Sequence, residues 1–285
     1  MARGSLRSTL LAAQYGVPLY LDAADMPSGI DAAVAAMGSP DGDAVVLQLL
    51  RRGIPVLCEH PVRPAFVTAA CAAAEASGTV FHVNAHFPSL AAPRAFIEGC
   101  LAARESESRL FLEAALTPRL LYALADVIRR AAGPLLPVEI DRVTPPGRGW
   151  FTMLSGTLAG IAATLQLERL QPDGSAATLV DCRIAAGFPG GILTLVSLAG
   201  PVIRTGNAGG GAGSLAETVF SQEGITRQEF DAQRLDAITG SLASLLDEAR
   251  GGATPPEQTA EHLLDVSGAA ETLRERWLAA ASAGL

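Results

Sequence analysis

The sequence predicts an α/β unit followed by an α+β unit with one broad, largely antiparallel open sheet. Three observations carry this. Up to about residue 85, short apolar runs alternate with helical spacing, as in a parallel sheet built from crossover units. From Val138 onward, strand-like segments follow one another through turns such as Gln171-Pro172-Asp173-Gly174. From Arg227 the pattern returns to helix. The chain has 285 residues and is 49% hydrophobic, enough for a sizeable core in one or two domains. The expected boundary lies near Ala85–Ser89 and divides residues 1–88 from 89–285.

The elements follow in order. Ser5–Gln14 reads as a short helix stopped by Gly16 and Pro18, and Pro18–Leu21 as a short strand before a turn at Asp25–Ser28. Ile30–Met37 is ambiguous: its alanines favour helix, its length a buried strand. Ser39–Gly42 reads as a loop. Asp43–Arg52 then pairs Val45 with Leu49 and Val46 with Leu50 at helical spacing, and Gly53 follows as a C-terminal stop. Ile54–Cys58 is a buried strand, Arg63–Ser77 a helix ended by Gly78, and Thr79–Val83 a further strand. Helices at Leu90–Ala103 and Pro118–Ala132 flank a strand at Arg109–Leu116. The expected meander comprises Val138–Val143, Trp150–Leu158, Ala162–Leu170, Ala177–Ala186 and Gly191–Ile203. Helices at Arg227–Ala249 and Pro256–Ala281 close the chain.

Composition excludes several chemistries. The net charge of −8 argues against a nucleic-acid backbone as partner. All 21 basic residues are arginine, so Schiff-base chemistry and a P-loop lysine are ruled out. Cys58, Cys71, Cys100 and Cys182 are scattered without a C-x-x-C pair, which reads as buried thiols in a reducing compartment. The apolar run Leu10–Ala13 is broken too early for a signal peptide, and no stretch of about 20 apolar residues offers a membrane span. A cytoplasmic protein with no membrane partner is expected.

The strongest chemical signal is Glu59-His60, delivered at the C-terminal end of a predicted parallel strand, where ligands of open α/β sheets bind. His86 follows the next strand, so both imidazoles are expected at the mouth of the sheet, able to exchange protons near neutral pH. His82 and His86 are four apart but in a strand and its loop, with no third ligand at metal spacing, so no metal is expected. His262, in a charged helix, reads as an exposed residue. The glycine-rich run Asn207–Ser214 lacks the spacing of a phosphate cradle and reads as a flexible loop. No G-x-S-x-G elbow supports a serine nucleophile.

Gly53–Val62 resembles the strand ending in Glu-Lys-Pro of the Gfo/Idh/MocA nicotinamide oxidoreductases. With His in place of Lys, Glu59-His60-Pro61-Val62 is more similar to one branch, the thiazolinyl imide reductases of siderophore assembly lines. Ala2–Ser8 resembles that branch's loop for the NADPH 2′-phosphate, and Val83–Pro88 its next strand end. Phe151–Gly156 and Gly190–Leu195 resemble its C-terminal sheet. The similarity runs over roughly residues 2 to 205.

The resemblance implies an incomplete Rossmann-like unit, N-terminally shortened, since the family's opening strand and G-x-G-x-x-G turn have no counterpart. It implies NADPH-dependent reduction of a thiazoline C=N on a carrier-bound intermediate of a nonribosomal peptide or polyketide synthetase. Arg3, Gly4, Ser5, Arg7, Glu59 and Pro61 become cofactor-binding candidates, and His60 and His86 catalytic ones. Phe87 stands where the family carries a tyrosine acid, and Met37–Asp43 is shorter than its counterpart. Family sheets of this kind often pair face to face, which places a homodimer among the expectations. Two other readings stay open: a cofactor-independent cyclase, isomerase or epimerase using His60, and a non-catalytic accessory subunit of the synthetase.

Overall fold

The computed structural model describes residues 6–27, 29–37, 41–106, 111–147, 149–169, 181–206 and 215–283. The chain divides into two compact units, one of residues 1–84 with 242–258, the other of residues 85–241 with 259–285. A segment of the C-terminal third therefore belongs with the first unit, not with the sequence that surrounds it.

The first unit opens with α1 (Leu6–Tyr15), none of whose residues is buried. The strand expected at Pro18–Leu21 does not form. A 3-10 turn at Ala23–Asp25 follows instead, capped by the Asp22 carboxylate on the Ala24 amide at 2.8 Å. Arg52 holds this turn by donating to the carbonyls of Ala23 and Met26. The ambiguous segment resolves as β1 (Ala33–Ala35), because pairing with β2 (Val56–Glu59) overrides the helix preference of alanine. β3 (Phe81–Asn84) adds on the far side of β2, giving a parallel sheet in the order β1-β2-β3.

Between the strands run α2 (Asp41–Arg51) and α3 (Pro64–Ser77), which pack on each other. Right-handed crossovers that add strands in one direction put both helices on one face. Pro64 sits in the first turn of α3, where its missing N–H costs nothing, and Gly78 ends the helix at φ +64°. Val56 and Leu57 are fully buried, as expected of a central parallel strand.

The second unit contains α4 (Ala91–Ser106), β4 (Phe111–Leu116) and α5 (Leu121–Ala132), the last preceded by a 3-10 turn at Pro118–Leu120. The following strands are β5 (Val138–Thr144), β6 (Phe151–Leu158), β7 (Ile161–Glu168), β8 (Cys182–Phe188), β9 (Gly191–Leu195), β10 (Val202–Gly206) and β11 (Ala216–Phe220). They form one mostly antiparallel sheet in the order β11-β10-β9-β8-β4-β7-β6-β5.

Three features correct the simple meander. β4, remote in sequence, is inserted between β7 (parallel) and β8 (antiparallel). Its run Ala114-Ala115-Leu116 is buried throughout, which suits a central position. The segment expected as one strand over Gly191–Ile203 is a hairpin: Ser197 Oγ donates to the Gly200 carbonyl at 2.8 Å, and Gly200 takes φ +92° before Pro201. β11 has no forerunner in the sequence reading; its pattern is almost wholly exposed and carries little periodicity. α4 and the last helix, α7 (Ala260–Ala283), pack on strands of this sheet, and α5 packs on both helices. α6 (Arg227–Ala249) carries the chain from the second unit into the first.

Candidate functional site

The C-terminal ends of β2 and β3 build the site in the first unit. Register pairs Cys58 with Val83 and Glu59 with Asn84, so the last two residues stand opposite each other. Asn84 is 1% exposed, and its Nδ2 donates to Glu59 Oε2 at 2.9 Å. The other carboxylate oxygen, Oε1, lies 3.7 Å from Nε2 of His60, whose side chain is 8% exposed. A strand normally sends successive side chains to opposite faces, but β2 ends at Glu59 and the bend at His60 brings the imidazole to the carboxylate. Pro61, exposed, then leads into α3.

Asp43, in the first turn of α2, pairs with Arg63 at 2.6 Å. Behind Glu59, burial pushes the Cys58 thiol up to about 12, with smaller contributions from Asp43 and Glu59. The protonated thiol is a poor nucleophile, and Cys58 serves as core.

β3 is held from its outer side. Val56 N–H bonds to the Val80 carbonyl, so by alternation Val83 turns its peptide groups away from β2. Gln258 fills that edge as a strand would: Val83 N–H donates to Oε1 at 2.9 Å, and Nε2 donates to the Val83 carbonyl at 3.1 Å. His82, 1% exposed, places Nε2 2.7 Å from Glu248 Oε2, while Thr254 donates to Glu248 Oε1 at 2.7 Å. Burial holds the His82 imidazole below its usual range, outweighing the opposite pull of Glu248 and Glu257. His82 is thus a structural residue that ties the C-terminal segment to the sheet.

Of the residues expected at the site, Glu59 and His60 are brought together at the end of β2. His86 belongs to the second unit, where it opens the 3-10 turn Phe87–Ser89. Its ring stacks on Phe87 at 4.3 Å between centroids, and the Arg234 guanidinium lies 5.9 Å from the centroid of Phe87. Arg7 is exposed at the start of α1. Arg3, Gly4 and Ser5, and the glycine-rich run 207–214, lie outside the described residues.

Sequence reasoning missed Asn84, whose only signal was its place at the end of the strand beside the Glu-His pair. It also misplaced His262. This residue is buried, not exposed, with Nε2 2.8 Å from Asp126 Oδ1. The charges that made its helix look solvated are partly spent inside the fold. Asp265, for example, accepts the amides of Leu135 and Leu136 at 2.9 and 3.0 Å.

The comparisons agree with this architecture. Residues 1–85 match the sequence model of Gfo/Idh/MocA, described as an oxidoreductase family with an NAD-binding Rossmann fold. No curated protein sequence matches the chain. An oxidoreductase from Agrobacterium radiobacter, in complex with NAD+, L-tartaric acid and magnesium, superimposes with a TM-score of 0.69 at 17% identity, over 97% of this chain and 87% of that one. UDP-N-acetylglucosamine 3-dehydrogenase GnnA from Acidithiobacillus ferrooxidans gives 0.67 at 15% identity, over 98% and 88%. The protein yvaA from Bacillus subtilis, described as a putative oxidoreductase, gives 0.70 at 12% identity, over 96% and 87%. The N-terminal segment thus matches an NAD-binding oxidoreductase family, and the whole chain shares the two-part fold of solved oxidoreductases.

Proposed function

We propose that the chain is a nicotinamide-dependent oxidoreductase of the Gfo/Idh/MocA type, and within it a thiazolinyl imide reductase that uses NADPH on a carrier-bound heterocycle. The observation that carries this reading is Glu59-His60-Pro61-Val62 at the C-terminal end of a parallel strand, with the Glu59 carboxylate held between Asn84 and His60. The family match over residues 1–85 supports the oxidoreductase class. The histidine in place of the family's lysine supports the branch.

The polar groups at the strand ends fit the nicotinamide half of the cofactor. Asn84 Oδ1 is a buried acceptor without a partner among the described residues, which suits the N–H of a carboxamide. Arg7 and the segment before it are the candidates for the 2′-phosphate, since guanidinium groups pair with phosphate oxygens by charge-assisted bonds. Bound there, the reduced nicotinamide supplies a hydride.

The chain's part is the proton. As a C=N carbon is reduced, its nitrogen gains electron density and needs a donor within reach. A protonated His60 gives that proton, and the adjacent Glu59 carboxylate, 3.7 Å away, favours the charged imidazole. The bond formed is N–H, the bond broken is N–H on the imidazolium, and bulk water restores the proton. Phe87 carries no acidic proton, so this reading leaves the transfer to His60, with His86 as its second candidate.

A fluorescence titration with NADPH and with NADH tests the proposal. Saturable NADPH binding is expected, weakened about tenfold or more by Arg3→Ala, with NADH less affected. Thiazoline reduction should then be lost in His60→Ala while NADPH still binds. Absence of binding to either nucleotide would sink the reductase reading and favour the cofactor-independent catalyst.

A further inference from the structure

We propose that Asn84 is a positioning residue: its side-chain amide holds the Glu59 carboxylate beside the His60 imidazole. The inference rests on His60 as the proton-handling group, and goes beyond it by naming what keeps the neighbouring carboxylate in place.

Three observations converge on Asn84. Glu59 and Asn84 are register partners at the ends of adjacent parallel strands, so their side chains rise on the same face. The carboxylate can only accept, so the amide nitrogen must face it; the Nδ2-to-Oε2 bond of 2.9 Å settles which way the amide points. That orientation leaves Oδ1 buried and, among the described residues, without a donor.

The third observation bears on why an asparagine stands here. Asn84 is 1% exposed, and a buried amide oxygen without a partner lowers stability. An apolar side chain of the same size would avoid that penalty. What the amide nitrogen adds, whatever Oδ1 accepts from a cofactor, is the hold on Glu59, whose side chain is 36% exposed and would otherwise turn toward water. Without the hold, the carboxylate need not stay 3.7 Å from His60 Nε2. The other charges close to this strand end in the first unit, Asp43 on α2 and Arg63 before α3, pair with each other at 2.6 Å.

The test follows the four histidines by NMR in protein labelled at the imidazole, with His60 assigned through His60→Gln. In the Asn84→Ala variant the His60 midpoint should fall by roughly 0.5–1 pH unit, as an opposite charge within about 6 Å is lost. Glu59→Gln should lower it similarly, and Asn84→Ala added to Glu59→Gln should change nothing further, because the two act on one interaction. An unchanged His60 midpoint in Asn84→Ala would overturn the proposal. So would an equal further fall in the double variant.

An unchanged His82 titration reports that the fold is intact. If Asn84→Ala does not fold, Asn84→Leu fills the space without the amide and carries the same expectation. The titration involves neither nucleotide nor substrate. It can therefore succeed where NADPH binding fails, or fail where NADPH binds, so the two readings are judged separately.

Discussion

Nε2 of His262 on α7 lies 2.8 Å from Oδ1 of Asp126 on α5, and both side chains are buried. Arg130, one turn along α5, donates to the same carboxylate through Nε at 3.0 Å and through a second guanidinium nitrogen at 3.2 Å. Two packed helices of the second unit are thus joined by a buried charged network, beside which Arg129 on α5 pairs with Asp265 on α7 at 2.8 Å. Removing one partner of such a network leaves the other's polar group buried and underpaired. His262→Ala should therefore lower stability by about 2–3 kcal/mol, read from urea unfolding midpoints. His262→Gln, which can still donate, should recover part of the loss.

The same carboxylate sets an acid limit. Burial alone would raise the Asp126 carboxyl, but His262 and Arg130 outweigh it and hold it below the ordinary carboxylate value of 3.8. A depressed carboxyl stabilises the fold above its unfolded value, and that stability is lost as pH falls below about 3.8. His82 opens an earlier window. Burial holds its imidazole below the ordinary value of 6.5, so the unfolded chain binds more protons there, and stability declines as pH falls below 6.5. The urea midpoint should be lower at pH 5.5 than at pH 7.5, and His82→Phe should flatten that difference.

Gln258 substitutes for a neighbouring strand along Val83. Gln258→Ala leaves both peptide groups of Val83 without this partner, at a cost of about 1–3 kcal/mol. Because the loss is local, hydrogen exchange of the Val83 amide should accelerate about tenfold or more, with the second unit's protection unchanged.

Gly156 on β6 lies where β5 shifts register between Ile140 and Arg142. A Cβ there would run into the Glu139 backbone, which cannot move aside as a side chain can. Gly156→Ala should cost about 1–3 kcal/mol, and Gly156→Val more, in thermal or urea unfolding.

Cys58 and Cys182 are both buried with thiols pushed up to about 12, burial being the main cause in each. Neither should react with a disulfide reagent at pH 8 in the native state, and both should react at once in denaturant. Fast native-state modification of Cys58 would mean that the end of β2 opens in solution.

The sequence by itself determined most of the local structure. Apolar spacing and the stops at Gly53 and Gly78 place α2, β2 and α3 within about two residues of where they form. Glu59 and His60 were legible as a pair, because a charged dipeptide closing a buried strand is a local pattern. What the tertiary structure decided is pairing at long range. β4 enters the sheet between strands that follow it in the chain, and Gln258 bonds Val83 from 175 residues away. His262 and Asp126, 136 residues apart, become one buried network. Asn84 meets Glu59 across 25 residues only because the parallel register sets them opposite. Periodicity reports which face of an element is apolar; it carries no record of which partner will cover that face or satisfy a buried polar group. Those choices are made when the elements pack, and here they decide which polar groups are joined.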